Sequence, residues 1–356
     1  MLILLIVNLT LPGISSQGDR IFYHDARSLA LGGVSIVLEH PSNPATMGFI
    51  NDRRLFASGW VTMQNERRGL RVYDSFGNNI GIRTVTNNTS TNVSLGPSTL
   101  VIPFKMLRFG LQYTPVWDYN YYYRYEQRDD FYQLIRIEEQ SYRGYAQAFS
   151  PLLGFRYKFI NVGVEYGILR GTWSRENNVI IPGMEDSVAR EETQFDGSKA
   201  KVGFTVMPSL NFRLGYTYQA LYDLHDVGFS YPDVHALAIM YQPPGRIPTK
   251  FVGQIELEMW DERILIYKVG VEHMIMGRYA LRYGFCIFPD YEQRAIWTTN
   301  LTLGFGASVG RYFFDIGYGN GKRDYLNSDF PTFDVGTNYK FDETTHNLLI
   351  STGISF

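Results

Sequence analysis

The residues best suited to chemistry are few and poorly spaced for it. Six histidines, His24, His40, His225, His235, His273 and His346, are scattered along 356 residues. None stands in the H-x-x-x-H or H-E-x-x-H spacing that sets two imidazoles on one helical face around a metal. No G-x-S-x-G nucleophile elbow occurs. The stretch "YDLHD" brings Asp223, His225 and Asp226 together and could touch a cation, but a solvated loop explains it better. "GYGNGK" (317–322) has the glycines of a phosphate loop, yet it leaves a strand and opens no helix, so it reads as the start of a loop. A single cysteine, Cys286, excludes an intrachain disulfide and multi-cysteine zinc sites. No enzymatic activity, metal or cofactor is expected.

The remaining ionisable residues fall on a period of two. In "RYALRYGFCIF" Tyr279, Leu281, Tyr283, Phe285 and Ile287 share one face, while Arg278, Ala280, Arg282, Gly284 and Cys286 share the other. "KFVGQIELEMW" and "GRYFFDIGY" divide in the same way. Such alternation marks half-buried strands. It collects Arg156, Glu165, Arg213, Glu256, Arg282, Arg311 and Asp315 on polar faces, with Lys158, Glu258, Lys268, Glu272 and Arg278 beside them.

A soluble sandwich and a membrane barrel give the same alternation with inside and outside exchanged. Loop lengths favour the barrel. Short turns near 158–161, 208–209, 276–277 and 307–310 alternate with longer segments at 171–199, 220–234, 288–295 and 319–345, as when one end faces the periplasm and the other the cell exterior. About fourteen strands are predicted, beginning near residue 54 and ending at 346–356. Residues 65–97 and 116–150 are expected to form external hairpins. The tyrosine run Tyr119, Tyr121, Tyr122, Tyr123 and Tyr125 reads as an interfacial girdle or, alternatively, as a surface for carbohydrate or protein. The expected fold class is all-β, an antiparallel transmembrane barrel. In it the charges must point inward, because a lipid-facing Arg or Lys costs about 2–4 kcal/mol near the midplane. Such a lumen is either a polar conduit or an internal salt-bridge network that conducts nothing.

Composition agrees with this reading. Charged residues make up 19% and aromatics 15% of the chain, against roughly 25% charged in soluble domains. A net charge of −2 supplies no basic field for nucleic acid. "MLILLIVNLTLPGISSQ" is too short to span a bilayer and is read as a signal peptide over 1–16. No later run is long and apolar enough for a membrane helix. The terminal strand "HNLLISTGISF" places Leu348, Ile350, Thr352, Ile354 and Phe356 on one face. It resembles the insertion signal of outer-membrane barrels, with Phe356 as its last residue.

Residues 17–53 do not alternate. Gly32-Gly33 permits positive φ or close backbone approach, and Pro44 can open a short helix capped by Asn43. With Ala45 these residues suggest a compact plug in the lumen before a barrel domain at 54–356. Here "DARSLALGGV" (25–34) and "NPATMGF" (43–49), taken with the barrel layout and the terminal Phe356, resemble the FadL-like outer-membrane barrel family, including its secretion-associated PorV/PorQ-type branch. The spacer between Gly33 and Asn43 is nine residues, shorter than is usual in that family. The resemblance implies residence in the outer membrane of a diderm bacterium, contact with outer-membrane lipid and the barrel-insertion machinery, and passage of a hydrophobic ligand through a pocket near Leu29, Leu31, Val34, Ile36 and Met47. The alternative it implies is a structural barrel that docks a secretion-system protein and transports nothing.

Overall fold

The computed structural model describes residues 18–220, 222–224, 229–291, 293–327 and 339–356. The segment 1–16 read as a signal peptide lies outside them, as do His225 and Asp226. Fourteen antiparallel strands close into one barrel. β1 is Arg54–Tyr73. β2 comes in two pieces, Asn79–Leu95 and Ser98–Phe104, and so does β3, Leu107–Asp118 and Tyr121–Arg128. β4 is Leu134–Tyr157, β5 Ile160–Ile180 and β6 Ser187–Ser209. β7 is Phe212–Gln219 and β8 Val234–Tyr241, both continued past a break as a two-stranded ladder, Tyr222–Leu224 with Phe229–Tyr231. There follow β9 Thr249–Met259, β10 Arg263–Ile275, β11 Tyr279–Pro289, β12 Trp297–Val309, β13 Tyr312–Asn327 and β14 Tyr339–Ser355. The last strand returns to the first in unbroken register, from Tyr339↔Leu70 to Ser355↔Arg54.

One end of the barrel carries the short turns 105–106, 158–159, 210–211, 276–278 and 310–311, together with the start of β1 and the end of β14. Lys105 and Lys158 take the left-handed conformation there, as two-residue hairpins between right-twisted strands require, and Met276 takes it in a three-residue turn. This is the periplasmic end by the usual asymmetry of such barrels. At the other end, residues 65–97 and 116–150 continue β1 to β4 upward as paired strands. "GYGNGK" likewise lies inside β13 and does not begin a loop.

The outer wall is apolar over most of its height. Leu237, Ile255, Val269, Leu281, Leu303 and Ile350 are all exposed, while their sequence neighbours Ala238, Gln254, Lys268, Arg282, Thr302 and Ser351 are buried. No helix among the described residues is long and apolar enough to cross a membrane, so it is the strands that cross.

The N-terminal segment packs against the inward faces of this wall. Asp19–Arg20 forms a two-residue strand. Helix α1, Ala26–Ala30, is closed by a capping box in which the Asp25 carboxylate accepts from Ser28 N–H at 2.6 Å and the Ser28 hydroxyl accepts from Asp25 N–H at 3.0 Å. Gly32 and Gly33, with φ of 70° and 85°, end it. A 3-10 helix, Pro44–Phe49, follows its N-cap Asn43, whose side chain accepts from Ala45 N–H at 3.0 Å. The wall accommodates both helices with inward glycines: a methyl group on Gly163 would overlap Pro44, one on Gly284 Gly32, and one on Gly317 Ala26.

Candidate functional site

Among the described residues the wall is interrupted between the upper parts of β2 and β3. The β2–β3 ladder runs from Phe104↔Leu107 to Ser98↔Tyr113 and stops. Immediately above lie Pro97 in β2 and Pro115 in β3, neither of which has an N–H to give a ladder. β3 bulges between Pro115 and Trp117. Its edge then pairs with the N-terminal segment, Asp19↔Asp118 and Arg20↔Trp117, and Val116 C=O accepts from Ile21 N–H at 3.2 Å. Among the described residues no ladder joins the upper piece of β2 to the upper piece of β3. The bulge moves odd-numbered residues to the inside, so Trp117, Tyr119, Tyr121 and Tyr123 are buried in the lumen. The girdle expected of the tyrosine run is corrected accordingly, with Tyr122 alone among 119–123 facing out as a half-exposed ring.

A cavity of about 440 Å³ lies behind this gap. Its floor is Phe22 and Tyr23, its inner wall includes Trp60, Asn300 and Asn347, and it reaches Asn92, Asp118 and Tyr122 at the gap. Rings and neutral polar groups both line it. Its charged lining residues are four acids, Asp19, Asp118, Asp290 and Glu343, and four bases, Arg20, Arg143, Lys322 and Arg323; Arg323 contacts Glu343 at 2.5 Å and Asp19 at 3.4 Å, and Arg20 pairs with Glu258 outside the lining. Above, the Arg68 guanidinium lies 3.7 Å from the Tyr123 ring centroid and donates to Tyr121 Oη at 2.6 Å.

The lumen charges expected from alternation fall into three groups. Glu272, Arg282 and Asp315 form a buried network with Arg27 of α1: Arg27 reaches both Glu272 oxygens at 2.8 Å, Arg282 reaches Glu272 at 2.7 Å, and Arg282 reaches Asp315 at 2.5 Å. Glu165 pairs with Lys199 at 2.8 Å and Glu256 with Lys268 at 2.6 Å. Arg213 donates to Val37 C=O at 2.7 Å and stacks on Phe49, while Arg156 donates to the Gly48 carbonyl at 3.2 Å and to Asn51 at 2.9 Å. Arg311 does not join them. It sits exposed in the turn before β13, as Lys158 and Arg278 sit in theirs, because alternation read past the last ladder pair no longer specifies a face.

Gly32, Gly33, Asn43, Pro44 and Ala45 lie at the two helix boundaries described above. Leu29, Leu31, Val34, Ile36 and Met47 are buried between the segment and the wall. The cavity behind the gap lies beside them and is not lined by them; Ile36 alone borders a hollow, a smaller one of about 100 Å³ near His24 and Lys201. Phe356 is half-exposed at the periplasmic rim, its N–H donating to Arg53 C=O at 2.9 Å. Sequence reasoning, in which a substrate route calls for a break in a strand beside the pocket, did not locate the gap, although "LGPST" and "YTPVW" place prolines at corresponding heights of two neighbouring strands. Among the described residues no cluster of His, Cys, Asp or Glu could hold a metal ion.

No protein-family model and no curated protein matches the sequence. Solved structures do share its fold. A Pseudomonas aeruginosa FadL homologue superposes with a TM-score of 0.68 at 14% identity over 95% of this chain and 100% of its own. The Pseudomonas putida toluene transporter TodX gives 0.65 at 12% identity over 94% and 99%. The Ralstonia pickettii toluene transporter TbuX gives 0.57 at 13% over 94% and 98%. The chain therefore has the fold of the FadL-type outer-membrane barrels, and with its apolar outer belt it belongs in the outer membrane of a Gram-negative bacterium.

Proposed function

We propose that the protein is a FadL-like channel that passes small hydrophobic molecules from the cell exterior into the membrane, with residues 18–53 serving as a plug at the periplasmic end. The observation that carries this reading is the meeting of a 440 Å³ cavity with a gap in the wall. Below the cavity, the hollow that the N-terminal segment borders among the described residues is about 100 Å³. A molecule that enters from outside has the β2–β3 gap as its way out, beside lipid-facing Val93 and Leu95. The balanced charges and numerous rings of the lining suit an uncharged, largely apolar guest, the class that the names of TodX and TbuX assign to those proteins.

The test is to fill the cavity. Ser90→Trp and Thr62→Trp place an indole in it without touching the plug network. In purified barrel, binding of the apolar probe N-phenylnaphthylamine is expected to fall, and in cells its entry should slow. Two well-folded variants that take up the probe at the parental rate would sink the proposal.

One observation favours the docking alternative, similar to the PorV/PorQ-type branch. The β1–β2 and β3–β4 hairpins end in turns of the same build, in which Asp74 and Asp129 each accept N–H bonds from residues two and four positions on. The tips present Phe76 and Phe131, 87% and 84% exposed. A secretion partner held there would be lost from pull-downs with Phe76→Ser/Phe131→Ser, while probe uptake stayed intact.

A further inference from the structure

The gap between β2 and β3 is bridged by side chains where the backbone ladder is missing. Asn92 of β2 donates through Nδ2 to Asp118 Oδ2 of β3 at 3.3 Å and to the Tyr145 hydroxyl of β4. Asp118 is in turn fixed by Asn120, whose N–H and Nδ2 reach Oδ1 at 2.8 and 2.6 Å. Higher up, Asn88 Oδ1 accepts from Arg124 N–H at 2.9 Å.

Two hollows lie on opposite sides of this bridge. The cavity in the lumen touches Asn92 and Asp118. On the outer wall an open depression of about 680 Å³ is lined by Tyr145, Gln147 and Arg170. Tyr145 thus stands between them, and the residue before it, Gly144, has φ of 134° with its carbonyl accepting from Tyr119 N–H at 3.0 Å. That conformation is closed to residues with a Cβ. It marks the one irregular position of β4 beside the gap.

We infer that Asn92, Asp118 and Tyr145 form a latch across the wall gap, and that displacement of the Tyr145 ring joins the inner cavity to the outer depression. Side-chain bonds suit this role: the two that Asn92 makes can break together without unzipping a strand, whereas a backbone ladder opens only with loss of register. The latch rests on the lateral route proposed above, but its existence can be read without any cargo.

The experiment places spin labels at Thr91→Cys of β2 and Arg143→Cys of β4, both of which border the cavity behind the gap, in the full chain with Cys286→Ala. Distances are measured in lipid nanodiscs with the latch intact, with Tyr145→Phe and with Asn92→Ala. The latch predicts one narrow distribution that becomes broader and longer in both latch variants, and a several-fold faster uptake of N-phenylnaphthylamine. Unchanged distributions in both variants would overturn the latch, whatever the uptake. Broadened distributions with parental uptake would keep the latch and count against the lateral route. Thr114→Ala, inward and below the bridge, serves as the variant expected to leave the distances unchanged.

Discussion

Glu272→Gln tests what holds helix α1 to the wall. The Glu272 side chain is 1% exposed and takes four charge-assisted bonds: on Oε1 from Arg27 Nη2 at 2.8 Å and Lys250 Nζ at 2.9 Å, and on Oε2 from Arg27 Nε at 2.8 Å and Arg282 Nε at 2.7 Å. An amide of the same shape keeps one acceptor oxygen and turns its NH₂ toward two donors, so two of the four bonds disappear. Each is worth about 1.5–3 kcal/mol when charged. The Arg27 and Lys250 side chains retain 19% and 22% exposure and can recover some hydration, which brings the expected loss to about 3 kcal/mol, the lower end of the range for breaking a buried pair. The assay is urea unfolding of the lipid-refolded barrel by tryptophan fluorescence, in a double-mutant cycle with Arg27→Met. If Glu272 works through α1, the two changes should couple by at least about 1 kcal/mol, and limited proteolysis should cut the N-terminal segment first. Additivity within about 0.5 kcal/mol would refute the reasoning, leaving Glu272 as a wall residue that happens to lie beside Arg27.

Gly284→Val should free the N-terminal segment without unfolding the barrel, because the new methyls overlap Gly32 and overpacking costs roughly 1–3 kcal/mol. Heat-modifiable gel migration should persist while residues 18–53 become protease-sensitive. Gly253→Val, where a new Cβ meets nothing closer than 3.8 Å, is the control, and equal sensitivity in the two would contradict the seating of the plug. At the exposed β1–β2 tip the Asn78 side chain, followed by backbone N–H groups, holds the Asp74 carboxyl below its usual range. Its contribution to the turn is present above the ordinary Asp pKa and is lost as pH falls through the lowered value. The amide shifts of Phe76 and Asn78 should therefore titrate below about 3.9, the ordinary Asp value, and a midpoint at or above it would remove this account of the turn. Phe356→Ala is expected to slow assembly into membranes without lowering the stability of the folded barrel, since the ring is half-exposed; equal assembly rates would end its reading as an insertion signal.

The lower halves of the strands were legible because lipid on one side and packed polar groups on the other force strict alternation. Val252 and Gln254 against Phe251 and Ile255 show this, and β9 covers all but the last residue of the alternating stretch "KFVGQIELEMW". Above the membrane both faces meet water or polar neighbours, so "NNTSTN" alternates in nothing and the upper halves of β1 to β4 were read as hairpins of unknown length. The candidate site was legible only in part. The glycine and Asn-Pro-Ala steps of the N-terminal segment announce its two helices, but the cavity is built from residues far apart in the chain, Trp60, Tyr121 and Asn300 among them. No local pattern couples these.

The two prolines show why a single register decides so much here. Pro97 and Pro115 are unremarkable as isolated residues, each consistent with a turn or an edge. Only when Ser98 is known to oppose Tyr113 do they lie side by side just above the last ladder pair. β3 cannot then continue along β2. Its free edge takes Asp19–Arg20, the bend carries four aromatic rings into the lumen, and the wall opens at the level where the outer surface is still apolar, at Val93 and Leu95. The gap, the cavity behind it and the pairing of Asp19–Arg20 with the β3 edge are thus consequences of one interrupted ladder. Restoring N–H donors with Pro97→Val and Pro115→Val should extend the β2–β3 pairing, slow amide exchange over 88–96 and 114–120, and close the lateral route together with the cavity. If exchange slows while probe uptake is unchanged, the passage lies elsewhere in the barrel.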